Sequence, residues 1–353
     1  MRLTLSTLAD LADLPADTLI DARAPAEFAE DHLPGAINLP SLDDAERAEV
    51  GTIYTRQDRF LARKIGAAYV ARNVARHLEG PLRDKGGGWR PLVYCWRGGQ
   101  RSGAFAAILQ QIGWRVSVLE GGYRAYRRLV VAQLYDRPLA LRPVLLDGNT
   151  GTAKTRLLAL LAERGWQVID LEEMANHRGS ALGARAGGQP TQKLFEGRLA
   201  GILARLDPAR PVVIEAESNK VGQRIVPPSL WQAMRAAPVV EVTAPLAARA
   251  RYLAQAYADI AEAPEDLRQR LERLRPLRGH AAVDAWQALA RDGSVTELAA
   301  QLIQHHYDPG YAKVRRRHHV QPRAGVYLED LTGAALHRAL PRLEAALRAA
   351  AGC

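Results

Sequence analysis

Short apolar runs bounded by glycine, proline or acidic residues recur along this chain, with room for one amphipathic helix between each pair. TLIDAR (18–23), AINLP (36–40), PLVYC (91–95) and VSVLEGG (116–122) have the length and the branched or aromatic content of strands, and helical periodicity fills 57–79 and 102–112. This alternation predicts a parallel sheet covered by helices on both faces. DRPLALRP (136–143) interrupts it with two prolines and reads as a linker. A second series follows with PVLLDG (143–148), WQVIDLE (166–172), RPVVIEAES (210–218) and APVVEVTAP (237–245). From about residue 246 the pattern is helical to the end. The expected class is α/β: a parallel-sheet domain over 1–135, a second α/β domain over 136–245, and a helical region over 246–353 packed on the second domain.

Composition narrows the setting. A chain of 353 residues with a 48% apolar share supports more than one hydrophobic core. Two cysteines, one of them the last residue, cannot make a disulfide framework, and MRLTLSTLADLADLPAD carries acids where a signal peptide needs an apolar core. No apolar run approaches the ~20 residues of a membrane span. The expectation is a cytoplasmic protein with no membrane association, taken to be a monomer. Lys and Arg outnumber Asp and Glu by 48 to 38, a net charge of +10 that favours polyanions. An Arg-rich, Ala-rich composition gives the same excess, and RAYRRL (124–129) and KVRRRHH (313–319) read equally as phosphate contacts or solvated helix faces.

PLVYCWRGGQRSGAFAAIL (91–109) places Cys95 where a buried strand meets a helix. A loop of this kind turns successive backbone N–H groups inward and sets the thiol near the positive end of the helix, which stabilises the thiolate. Gly98 and Gly99 permit the tight path, and Arg97 and Arg101 add charge. The expected site is an anion-binding bowl, with Cys95 as catalytic nucleophile and Arg97, Gly98, Gly99 and Arg101 as the anion-binding residues. The bland reading, a buried cysteine acting as a small apolar residue, does not account for two glycines and two arginines within six residues.

PVLLDGNTGTAKTRLLALL (143–161) follows the P-loop pattern, with Gly148, Gly151, Lys154 and Thr155 as the diphosphate-binding residues. Ala153 stands where that pattern has its second glycine and is expected to fit only with a negative φ. Thr155 can reach a Mg²⁺, the one cofactor expected and not a permanently bound one, with Glu215 and Glu217 as its candidate acidic partners. Asn176, His177 and Arg178 could contact phosphate or base, although a lone histidine in such a run is usually structural. His305 and His306 lack a second ligand set, so no structural zinc is expected.

Asp21, Arg23, Glu27, His32, Pro34, Gly35, Ala36 and Pro40, taken with CWRGGQRS, resemble the rhodanese family, in which the matching cysteine carries sulfur or selenium as a persulfide-type intermediate. Here Cys95 and Arg101 are six apart, one more than in ordinary rhodanese loops. That spacing makes a wider bowl, suited to a phosphate-sized group, and His32 is expected to be a structural hydrogen-bonding residue. A rhodanese-like domain followed by a P-loop NTPase-like domain, with DLEEMANHRGSALG (170–183), QPTQKLFEGRL (189–199), VVIEAESNKVGQRIVP (212–227) and HHYDPGYAK (305–313), resembles the bacterial tRNA 2-selenouridine synthase family. The resemblance implies action on tRNAs for Lys, Glu and Gln at a 2-thiolated wobble uridine. Geranyl diphosphate would bind at the P-loop and alkylate the sulfur, and selenophosphate at the cysteine loop would supply selenium. Two other readings stay open: a rhodanese-type sulfurtransferase fused to an ATP-dependent P-loop kinase, and a non-catalytic tRNA-binding module.

Overall fold

The computed structural model describes every residue except 181, 217, 319–320 and 353, and the backbone alone over 314–318. The chain forms two compact units, one of residues 1–137 with 190–205 and the other of 138–189 with 206–353.

The first unit is built on five strands, β1 (Arg2–Leu3), β2 (Thr18–Asp21), β3 (Ala36–Asn38), β4 (Pro91–Tyr94) and β5 (Ser117–Leu119). They lie in the order β1-β5-β4-β2-β3, all parallel. Central β4 is buried along its whole length, as both-face coverage of a parallel sheet demands. Val93, Ile20, Phe105, Leu109, Val70 and Val74 form its core with Trp89 and Trp114, whose rings meet edge to face. The helical pattern expected over 57–79 is the helix Arg59–Glu79, and a further helix, Asp44–Arg56, precedes it; each is started by an aspartate whose carboxylate accepts a backbone N–H three residues on.

Beneath this sheet's C-terminal edge lies a buried polar network. Arg23 Nε and Nη2 donate to the carboxylate of Asp21, Nη2 also donates to Asp31 O at 2.5 Å, and the guanidinium sits 4.0 Å over the Tyr123 ring. Asp31 is fully buried and accepts from Tyr123 OH at 2.8 Å. The helix Gln192–Leu203, capped by Thr191, closes the network: Glu196 pairs with Arg127 and accepts from Tyr135 OH at 2.6 Å, and Lys193 pairs with Glu30 at 2.6 Å. A side chain at Gly197 would come within 2.7 Å of Tyr126 OH and 3.0 Å of Asp31 Oδ1, so glycine is what lets the helix seat.

The second unit has β6 (Arg142–Asp147), β7 (Gln167–Ile169), β8 (Pro211–Glu215), a small hairpin of β9 (Lys220–Val221) and β10 (Arg224–Ile225), then β11 (Val239–Thr243) and β12 (Ala324–Tyr327). Its main sheet runs β12-β11-β6-β8-β7, again all parallel. The purely helical pattern expected after residue 246 is therefore corrected by β12, which extends the sheet alongside β11. Its Ala-Gly start, with Val326 its one buried residue, leaves no apolar run to register against the helices around it. The closing helix Gly333–Ala351 packs Leu336, Leu340, Leu343 and Leu347 onto this sheet's core. A further cluster of Leu182, Ile260, Leu271, Trp286, Leu298 and Leu302 holds the helices between 246 and 318.

Burial raises the pKa of Asp31 to about 6, against the opposing pull of the Tyr123 hydrogen bond and Arg127. The folded state thus binds this proton more tightly than the unfolded chain does. Its stabilising effect is complete below about pH 4 and is lost as pH rises through about 6, a change of at most ~3 kcal/mol. Denaturant unfolding of wild type and Asp31→Asn at pH 4 and 7 should show a fall for wild type that the variant lacks.

Candidate active site: two anion-binding loops

Each sheet presents a loop at the C-terminal end of a central strand whose neighbours lie on both sides, the crevice position in which open parallel sheets bind ligands. After β4, the chain turns through Cys95–Gly99 into the helix Gln100–Gln111. Gly98 has φ +66°, and a Cβ there would lie 2.3 Å from Leu119 O. The loop rests on the turn at Gly121–Gly122: a Cβ on Gly122 would meet Cys95 O at 2.2 Å and Gly98 N at 2.5 Å. Tyr123 N–H and Arg124 N–H donate to the carbonyls of Cys95 and Trp96, at 2.9 and 3.1 Å.

Cys95 is buried, and Ser102 Oγ donates to its Sγ at 3.2 Å. Burial alone would push the thiol's pKa up. The Ser102 hydroxyl and backbone N–H, the charge of Arg101 and the Arg97 N–H outweigh burial, and the thiol titrates below its ordinary range. Arg101 is held by Glu27, through Nη1 at 2.6 Å and Nη2 at 3.3 Å, while Glu27 also accepts from Ala24 N–H at 3.1 Å. Arg97 contributes its N–H to the cysteine and exposes its side chain. Gly99 starts the helix, and a Cβ there would meet only open space. Ser102 was not singled out from sequence; its position directly after Arg101 is the one signal that could have found it. His32 Nδ1 lies 2.9 Å from Phe28 O with its ring stacked on Phe28, a structural contact.

The second loop joins β6 to the helix Lys154–Glu163. A Cβ on Gly148 would come 2.5 Å from Thr152 Oγ1 and 2.6 Å from Val242 O; Gly151, at φ +85°, lies against Arg249 O. Ala153 has φ +62° and ψ +26°, so the negative φ expected for it is corrected: the loop keeps its left-handed shape at the missing glycine, a strain of roughly 1–2 kcal/mol. Neighbours hold the shape. Buried Arg249 donates to Thr150 O from Nε at 3.0 Å and Nη2 at 2.8 Å and pairs with Asp308 at 2.6 Å, while Asn149 Nδ2 donates to Asp308 at 3.0 Å. Lys154 Nζ donates to Gly148 O at 2.6 Å and lies 5.8 Å from the Tyr311 ring.

Thr155 Oγ1 donates to Glu172 Oε2 at 3.1 Å, and Glu172 N–H donates to Glu215 Oε1 at 2.6 Å. The carboxylate facing the P-loop threonine is therefore Glu172, with Glu215 fully buried behind it. Glu217 lies outside the described residues. Burial, with help from Asp170, raises the pKa of Glu172 against Lys154 and Thr155. Among the described residues no three His, Cys, Asp or Glu side chains form a metal-holding group. His177 Nδ1 accepts from Gly179 N–H at 3.1 Å, and burial and nearby arginines lower its pKa. His306 Nδ1 likewise accepts from Arg278 Nε, at 3.0 Å. The cluster at Arg315–Arg317 lies where side chains are not described.

Over the P-loop opens a cavity of about 350 Å³, lined by residues 150–156, Glu172, Arg178, Arg185 and, on the helix Leu246–Ala256 and just after it, Tyr252, Leu253, Ala256 and Tyr257. Arg178 spans the divide. Its Nη2 is fixed by both carboxylate oxygens of Asp259 at 2.8 Å and its guanidinium lies 4.7 Å over the Tyr257 ring, yet its Nη1 is buried without a hydrogen-bond partner.

Residues 4–129 match the rhodanese-like domain model, and 141–273 match the tRNA 2-selenouridine synthase AAA domain. A tRNA 2-selenouridine synthase from Hahella chejuensis is 34% identical over 331 residues, covering 83% of this chain and 84% of that protein. The chain belongs to the tRNA 2-selenouridine synthase family. Synthases from Nitrosomonas europaea and Pseudomonas syringae pv. tomato are 38% and 39% identical, over 68% and 65% of this chain and 62% of each of theirs. In this family member the rhodanese match contains the cysteine loop and the AAA match the P-loop. The AAA match also contains the helix Gln192–Leu203, which packs in the first unit. Among the described residues no helix is long and apolar enough to cross a membrane.

Because the Ser102 hydroxyl is the largest stabiliser of the thiolate, Ser102→Ala should raise the pKa of Cys95. The pH profile of alkylation by a small haloacetamide should move to higher pH, and its rate at neutral pH should fall. An unchanged profile would assign the depressed pKa to the backbone and Arg101 alone.

Proposed function

We propose that this chain converts 2-thiouridine to 2-selenouridine at the wobble position of tRNAs for Lys, Glu and Gln. Geranyl diphosphate first alkylates the sulfur, and selenophosphate then supplies the selenium that replaces it. The observation that carries this reading is one chain holding both a stabilised thiolate and a phosphate loop whose cavity is cationic on one wall and apolar on the other. The two anionic donors match the two loops, and the net charge of +10 suits a polyanionic acceptor.

In the alkylation the tRNA sulfur attacks C1 of the geranyl group and the C–O bond to diphosphate breaks. Negative charge gathers on the departing diphosphate, where the P-loop N–H groups, Lys154 and the unpartnered Nη1 of Arg178 can meet it. Thr155 Oγ1 and Glu172, 3.1 Å apart, form the kind of oxygen pair that holds Mg²⁺ beside phosphate oxygens. When bound, that ion adds charge neutralisation to the leaving group.

Alkylation makes the sulfur on C2 a thiolate leaving group. The Cys95 thiolate, favoured by a pKa lowered below the ordinary thiol range, attacks C2, and the C2–S bond to the geranyl thiolate breaks. The selenium of selenophosphate then attacks C2, the Cys95 thiolate departs, and water cleaves the Se–P bond to give 2-selenouridine and phosphate.

Two variants separate the steps. Lys154→Ala should slow geranyl transfer by about 10²-fold, whereas Cys95→Ala should geranylate normally, fail to insert selenium and accumulate S-geranyl tRNA. Mass analysis of nucleosides after incubation with thiolated tRNA, geranyl diphosphate and selenophosphate reads both. Full selenation by Cys95→Ala would remove the cysteine from the chemistry, and ATP hydrolysis without prenyl transfer would favour the kinase reading.

A further inference from the structure

Behind the P-loop cavity lies a second cavity in the same unit, walled by apolar side chains and two tyrosines. Leu267, Leu298 and Leu302 close its rear, and Ala254, Ala261 and Val295 form a partly exposed rim. Two residues, Leu253 and Tyr257, line both cavities. The Tyr257 hydroxyl is engaged by Ser180 Oγ at 2.9 Å, and Arg178 covers its ring on the phosphate side. A ligand extending from the P-loop thus meets cations first, then the aromatic partition, then apolar walls.

We propose that this second cavity is the subsite for the hydrocarbon chain of the prenyl diphosphate, an assignment that rests on the reading of the P-loop as its diphosphate site. Charge and shape support it together. A nucleoside triphosphate would place a polar base and ribose beyond the phosphates, and these walls offer such groups few hydrogen-bond partners. A branched hydrocarbon loses nothing there and gains from leaving water. The free volumes are about 350 Å³ over the P-loop and about 40 Å³ behind Tyr257. The first isoprene unit therefore lies along Leu253 and Ala256, and the far end of the second enters past Tyr257.

The proposal is tested by direct binding to the full chain, with inorganic diphosphate, dimethylallyl diphosphate and geranyl diphosphate as probes. Each methylene-sized group buried strengthens binding about fourfold, so wild type should bind geranyl diphosphate at least ~10²-fold more tightly than inorganic diphosphate. Ala254→Trp and Val295→Trp, both at the rim, fill the cavity from positions where a larger side chain can lean outward. Each should bring the geranyl affinity down to that of the dimethylallyl probe and leave inorganic diphosphate binding within about twofold, which also reports an intact fold. Unchanged geranyl affinity in both variants would overturn the chain subsite and leave the diphosphate site standing. So would equal binding of geranyl and inorganic diphosphate by wild type. Failure of wild type to bind any of the three probes would instead overturn the P-loop reading, and the subsite with it.

Discussion

The cysteine loop depends on two hydrogen bonds made to its outer side. By donating to the carbonyls of Cys95 and Trp96, the N–H groups of Tyr123 and Arg124 satisfy the acceptors that would otherwise compete for the inside of the bend. The loop is thereby held with its donors available to an anion. Such an approach of two backbones needs bare Cα atoms on both sides, and Gly98 and Gly122 supply them. The low thiol pKa, the Ser102 contact and the placing of Arg101 by Glu27 all rest on that approach.

The P-loop reaches a comparable end by a different means. Its alanine at 153 accepts a backbone shape that glycine would take without cost, so the shape must be imposed from outside. Arg249 and Asp308, far apart in the chain, clamp the carbonyl of Thr150 and the side chain of Asn149. One loop is thus shaped by its own glycines and a neighbouring turn, the other by an ion pair whose arginine is buried.

Much of this was legible in the sequence because the signals were local. Eight of the strands were marked by short apolar runs, and both loops by glycine and cation spacing within single stretches. What was missed depended on contacts between distant residues. Glu172 faces Thr155 because β8 brings Glu215 up behind it, and nothing in DLEEM distinguishes its first glutamate from its second. The φ of Ala153 is set by residues about a hundred positions away or more. Strand β12 begins Ala-Gly and buries only Val326, so no apolar run marks it. The stretch QPTQKLFEGRL stood out only as part of the family resemblance, and the seat of the helix Gln192–Leu203 beside Asp31 depends on Gly197 meeting Tyr126.

That helix has a consequence for modularity. The chain passes between its two units three times, at 137–138, 189–190 and 205–206, so neither unit is a contiguous segment. A fragment cut at the proline linker would carry the whole cysteine loop yet lack the carboxylate that answers Arg127 and the helix face that covers Asp31. Such a fragment would have a charged, solvent-open breach where the intact protein has a sealed network. The unit that carries the cysteine loop is therefore not a transplantable cassette: gene fusion, fission or recombination at the linker would separate it from part of its own interior, and the two loops are constrained to be inherited as one piece.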